Sequence, residues 1–289
     1  MQDNRTVQSV STVINDMNIR YFTAGDKGSP VVFIHGSGLD SASISWSRVL
    51  GELAEEFRVF APDLPGYGQS EKPEVDYTVD YYVAFLEQFL DHINEKEICI
   101  IGLSMGGAIA LSFALRHPAR TKKLVLVSSY GLMQRLPFHP LTAFSIKTAV
   151  MEWGYLVLQK SRSRLLTKRV LLSGLICAKE KLSDELLEEV YLASQDPQAG
   201  RAYCSFLRSE LMEKGLKSNF LERLSEIRMP TLLVQGTKDK TIPLSCAISA
   251  NESIKNSNLF LFEGCSHWPQ NEETDKFNQT VKQFLLYGC

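Results

Sequence analysis

The sequence predicts an α/β fold with a mostly parallel central sheet and helices on both of its faces. Three observations carry this: short apolar runs alternate with longer amphipathic segments along most of the 289 residues. A G-x-S-x-G turn joins one of those runs to a helical pattern. A strand-poor stretch at about 132–220 then interrupts the alternation.

In chain order, residues 7–14 and 17–22 read as two strands joined at Asn15 and Asp16, a pair suited to a tight turn. Apolar runs at 31–34, 58–61, 98–103, 123–127, 231–235 and 259–262 read as further strands. Amphipathic stretches at 44–56, 81–93, 108–115 and 274–286 read as the crossover and terminal helices. Segments 1–131 and 221–289 therefore make one core domain, and 132–220 a helical cap inserted after the sixth strand. The cap shows no convincing strand but has helix starts at Ser183 and at Asp196, which precedes Pro197. Inserted segments of this kind lie over the carboxyl ends of the strands, where ligands bind.

Lys and Arg number 31 against 33 Asp and Glu, so the net charge of −2 gives no global field for nucleic acid. A small neutral substrate suits that balance, with the chain a monomer or homodimer. The first ten residues lack an apolar signal-type run, and no stretch approaches the ~18 apolar residues of a membrane span. The expectation is a cytoplasmic protein without stable membrane insertion. Six cysteines, at 99, 177, 204, 246, 265 and 289, show no metal-ligand spacing. Cys99 reads as a core hydrophobe, and Cys265 as either a structural thiol or a modifiable one.

Gly102-Leu103-Ser104-Met105-Gly106 follows a strand and precedes a helix, which marks Ser104 as a nucleophile on a sharp turn. The flanking glycines are expected because side chains there would collide with so tight a bend. A hydroxyl needs a base and a group to orient that base. Only His267 lies beyond the cap, in a loop after the apolar run 259–262. His35, His92, His117 and His139 are expected to be structural. Asp239 follows the strand 231–235 and completes the chain order Ser, acid, His, whereas Ser128-Ser129-Tyr130-Gly131 offers no carboxylate. Oxyanion donors are expected from the Met105 amide and from His35-Gly36-Ser37-Gly38, with Ser37 first and Gly38 in reserve. No metal or cofactor is required for these roles.

The His35–Gly38 loop, the Asp63-Leu64-Pro65-Gly66-Tyr67-Gly68-Gln69-Ser70 segment, the Ser104 turn, the Asp239 loop and the His267 segment resemble the α/β-hydrolase family in kind and order. The resemblance spans nearly the whole chain except the cap, and it implies serine hydrolysis. Two features are similar to the carbon–carbon hydrolases of aromatic ring-cleavage products: the HGSG loop and Trp268 after His267. Those enzymes usually carry Asn before the serine, where this chain has Leu103. The resulting expectation is a carboxylesterase-like enzyme, with C–C hydrolysis as one alternative and a receptor on a hydrolase scaffold as another.

Gly36, Trp268 and Trp153 are the expected pocket residues. Tyr155, Leu156, Leu158, Leu165, Leu166, Leu171 and Leu172 either line that pocket or pack the cap. Lys160, Arg162, Arg164, Lys168 and Arg169 form a basic cluster that reads as a solvated helix face, a guide for anionic substrates or a membrane contact.

Overall fold

The computed structural model describes residues 5–135, 139–213 and 215–288. It opens with an antiparallel hairpin of β1 (Gln8–Ile14) and β2 (Met17–Ala24). Asn15 and Asp16 both adopt positive φ, at 48° and 63°, which a two-residue turn needs to match the twist of its strands. Next come β3 (Pro30–Ile34), α1 (Ala42–Leu53), β4 (Arg58–Pro62), α2 (Val79–His92), β5 (Ile98–Leu103), α3 (Met105–Arg116) and β6 (Thr121–Val127). Helices α1 and α2 begin two residues before the expected points, because the Ser41 and Thr78 side chains cap them by accepting from the Ile44 and Tyr81 amides.

Residues between β6 and β9 form α4 (His139–Lys147), α5 (Val150–Ser161), α6 (Arg164–Gly174), α7 (Asp184–Ser194) and α8 (Arg201–Glu210). They also hold a two-residue antiparallel pair, β7 (Leu211–Met212) and β8 (Gly215–Leu216), too short to leave an alternating signature. Ser183 caps α7 as expected, accepting from the Leu186 amide at 3.2 Å. Asp196 does not start a helix. Its Oδ1 accepts from the Gln198 amide at 2.8 Å, making a local turn instead, and α8 begins only at Arg201, after Gly200 at φ 80°. The Phe220 amide donates to the Gly131 carbonyl at 3.0 Å, so the two ends of the insertion meet.

The chain closes with β9 (Thr231–Gly236), α9 (Leu244–Ser253), β10 (Ser257–Phe262), α10 (Pro269–Glu272) and α11 (Thr274–Tyr287). Sequence periodicity had not marked α9. The main sheet runs β1-β2-β4-β3-β5-β6-β9-β10 and is parallel from β4 to β10. Strand alternation divides the core between two faces: Val31, Phe33, Cys99 and Ile101 pack with α1 and α11, and Val32, Ile34 and Ile100 pack with α2 and α3. Burial on both sides explains why β3, β5 and β9 read as unbroken apolar runs.

Candidate active site

Ser104 sits between the end of β5 and the first residue of α3 with φ 52° and ψ −117°, a strained conformation for a residue with a side chain. The neighbours enforce it: a Cβ at Gly102 would lie 2.2 Å from the Gly106 carbonyl oxygen, and one at Gly106 would lie 2.3 Å from that of Ile34. The Ser104 amide donates to the Val127 carbonyl at 2.9 Å, and its carbonyl accepts from Tyr130 at 3.0 Å. The bend is thus held by β6 as well as by its own turn.

His267 lies in the loop after β10, nearly buried. Its Nδ1 is 2.8 Å from Oδ2 of Asp239, whose side chain is fully buried. Oδ2 also accepts from Gln235 Nε2 at 2.9 Å, and Oδ1 accepts the Thr241 and Ile242 amides at 2.8 and 3.0 Å. Burial alone would raise the Asp239 carboxyl. The imidazole and the backbone donors outweigh it and hold the group below its ordinary value. An ionised Asp239 accepts at both oxygens, which puts a proton on Nδ1 and leaves Nε2 free.

Ser104 and His267 line one cavity of about 410 Å³, together with Gly36, Ser37, Gly38 and Trp268. Met105 is the first residue of α3, so its amide has no acceptor within the helix. Helix α5 contributes Met151, Tyr155 and Leu158 to the wall, and α6 contributes Leu166, Val170 and Leu171. Trp153 does not line it: it projects from the opposite face of α5 and is 65% exposed. Leu156 and Leu165 likewise face outward.

Two further groups shape the site: Asp40, which sequence reasoning misses, and Tyr155, which it leaves between lining the pocket and packing the cap. Asp40 is buried, and its carboxylate accepts from the Gly36 and Ser41 amides at 2.8 Å and from the Ser45 hydroxyl. Burial pushes its carboxyl up, against the pull of those donors. Its spacing to the glycine loop was the available signal. Tyr155 is the other: a Cβ at Gly38 would lie 3.4 Å from its hydroxyl, and its ring lies flat against Gly200, where a Cβ would stand 2.3 Å from the ring. Desolvation keeps its phenol protonated, hence a donor.

His35 is structural. Its Nε2 accepts the Leu64 amide at 3.0 Å, so Nδ1 carries the proton and donates to the Gly36 carbonyl at 2.7 Å. The Asp63 segment is a strut of the same kind, with Asp63 binding Arg20, the Ala42 amide and the Gln69 amide. His92 and His117 pair with Thr12 and Glu87, far from Ser104 in the fold. Cys265 is buried, and burial pushes its thiol up to about 11 despite Lys181 Nζ 3.3 Å away. That suits a structural thiol. Cys289 lies outside the described residues.

Residues 29–274 match the family described as alpha/beta hydrolase fold. The chain belongs to that family. It is 32% identical to a 2-hydroxy-6-oxo-2,4-heptadienoate hydrolase of Pseudomonas putida over 264 residues, 89% of each protein. Among solved structures it is similar to a meta-cleavage product hydrolase from Pseudomonas fluorescens, with TM-score 0.80 and 27% identity over 95% of this chain and 96% of that one. It is also similar to a bacterial membrane phospholipase A, with TM-score 0.78 and 25% identity over 98% of this chain and 87% of that one. This member of the alpha/beta hydrolase family is a hydrolase with a serine at the nucleophile position. Among its described residues no helix is long and apolar enough to cross a membrane.

Proposed function

We propose that this hydrolase cleaves carboxylic esters of uncharged, apolar acyl or aryl groups through an acyl-enzyme on Ser104. The observation that carries the reading is the cavity wall: no Lys, Arg, Asp or Glu is among the described residues lining it. His267 Nε2 takes the Ser104 proton as the oxygen attacks the ester carbonyl, and Asp239 stabilises the imidazolium. The amides of Met105 and of Ser37 or Gly38 receive the oxyanion, each worth about 3 kcal/mol in the transition state. The alcohol leaves with the proton returned from His267, and water then releases the acid. Residues 132–220 act as the cap that selects the substrate.

The named relatives favour a second reading, hydrolysis of a carbon–carbon bond in a ring-cleavage product, with the same three residues. Such dienoates carry a carboxylate, and the cavity wall offers it no described cation. Arg20 and Lys72 line a smaller neighbouring space of about 340 Å³ that shares Gly38 and Leu39, but Asp63 and Asp196 already engage them. A chain-length series of p-nitrophenyl esters beside a 2-hydroxy-6-oxo-dienoate, with wild type and Ser104→Ala, separates the readings. Ester turnover that disappears in Ser104→Ala supports the first, and dienoate turnover alone replaces it with the second. If a fluorophosphonate fails to label the wild type, both give way to the receptor reading.

A further inference from the structure

We propose that the outer face of α4, α5 and α6 docks this protein on an anionic lipid surface, from which acyl lipid enters the Ser104 cavity. The choice of acyl lipid as substrate rests on the ester reading; the docking itself does not.

Helix α5 is apolar on two faces. Met151, Tyr155 and Leu158 face the cavity, and Val150, Trp153 and Val157 recur at helical spacing along the exposed side, with Val157 at its border with the cavity. The neighbouring helices extend that outer face. Leu141 and Phe144 of α4 are 72% and 62% exposed, and Leu165 of α6 is 60% exposed. Single exposed apolar residues are ordinary, but a cluster on packed helices marks a contact surface. Val157 and Val170 are at once exposed and part of the cavity wall. The mouth of the cavity therefore borders this face at Val157.

Charge identifies the occupant. Residues 139–174 hold six Lys and Arg against a single acid, Glu152, although the whole chain has net charge −2. Glu152 is paired with Arg208, and Arg164 with Glu188. Among the described residues, Lys147, Lys160, Arg162, Lys168 and Arg169 have no carboxylate within salt-bridge distance. A face with large apolar side chains among unpaired cations matches the layering of an anionic headgroup region over acyl chains. A second copy of the chain fits poorly, because a two-fold contact would set this positive face against itself.

The test is co-sedimentation of the full chain with phosphatidylcholine vesicles, with and without phosphatidylglycerol. Tryptophan emission reports on the geometry, since Trp46 and Trp268 are buried and Trp153 is exposed. Docking predicts sedimentation with the phosphatidylglycerol vesicles, a blue shift of the emission, and release between about 0.1 M and about 1 M salt. Lys160→Glu/Arg162→Glu/Arg169→Glu should weaken partition at least tenfold, and Phe144→Ser/Leu165→Ser should do the same. Both variants should hydrolyse soluble p-nitrophenyl acetate at the wild-type rate. Wild type that stays in the supernatant overturns the proposal, as does charge-reversed protein that binds like wild type, or a dimer that buries Trp153 without lipid. Ser104→Ala should sediment like wild type. Vesicle binding without any ester turnover sinks the ester reading alone, and ester turnover without vesicle binding sinks the docking alone.

Discussion

Asp40 accepts the Gly36 amide at 2.8 Å, so a buried carboxylate fixes the stretch of glycine loop that packs beside Ser104. That carboxylate also receives the Ser41 amide and the Ser45 hydroxyl, so the loop is anchored at several points before any substrate arrives.

Asp40→Asn replaces one acceptor oxygen with an amide NH2 that cannot receive the Gly36 or Ser41 amide. The fold should lose about 2 kcal/mol. The proposed oxyanion loop should loosen too, lowering kcat about tenfold with little change in KM. Urea unfolding and steady-state ester kinetics check both halves. An unchanged kcat in a destabilised variant removes Asp40 from the account of catalysis.

Asp239→Asn keeps the shape of the side chain but takes away the charge that fixes a proton on His267 Nδ1. Turnover should fall by roughly three to four orders of magnitude, and labelling of Ser104 by a fluorophosphonate should slow in parallel. A loss of less than tenfold means that another group orients the imidazole.

The Asp239 carboxyl lies below its ordinary value of 3.8 in the folded protein. Its contribution to stability is therefore complete above that value and disappears as pH falls through the lower folded one. Wild type should lose stability below about pH 4 along a slope that is shallower in Asp239→Asn. Urea midpoints measured across this range give the two slopes, and identical slopes contradict the assignment.

Tyr155→Phe preserves the ring against Gly200 and deletes only the hydroxyl beside Gly38. Thermal stability should stay near that of wild type, and kcat/KM for esters should fall about tenfold, the loss of one neutral hydrogen bond that the hydroxyl is expected to donate to the bound ester. If Tyr155→Phe matches wild type, the hydroxyl serves packing alone.

The sheet and the three proposed catalytic residues were legible because their signals are local. Apolar runs buried on both faces mark β3, β5 and β9, and the glycines around Ser104 answer contacts as close as 2.2 Å. Other features depended on the direction of a side chain in space. Trp153 and Tyr155 are two residues apart and point to opposite sides of α5, which composition alone does not separate. The Asp196-Pro197 pair has the chemistry of a helix start, yet its carboxylate closes a turn before α8. Asp40 went unmarked because two of its three partners are backbone amides, so its spacing to the glycine loop was its one signal.

Ser104, Asp239 and His267 hang from β5, β9 and β10 of one continuous sheet, whereas much of the cavity wall comes from helices whose two ends meet where Phe220 bonds Gly131. Such an attachment separates reaction from choice of reactant. Helices of different length or character can be spliced in at that junction without shifting the sheet, so a lineage carrying this scaffold is free to change what it consumes while the bond-breaking machinery stays in register.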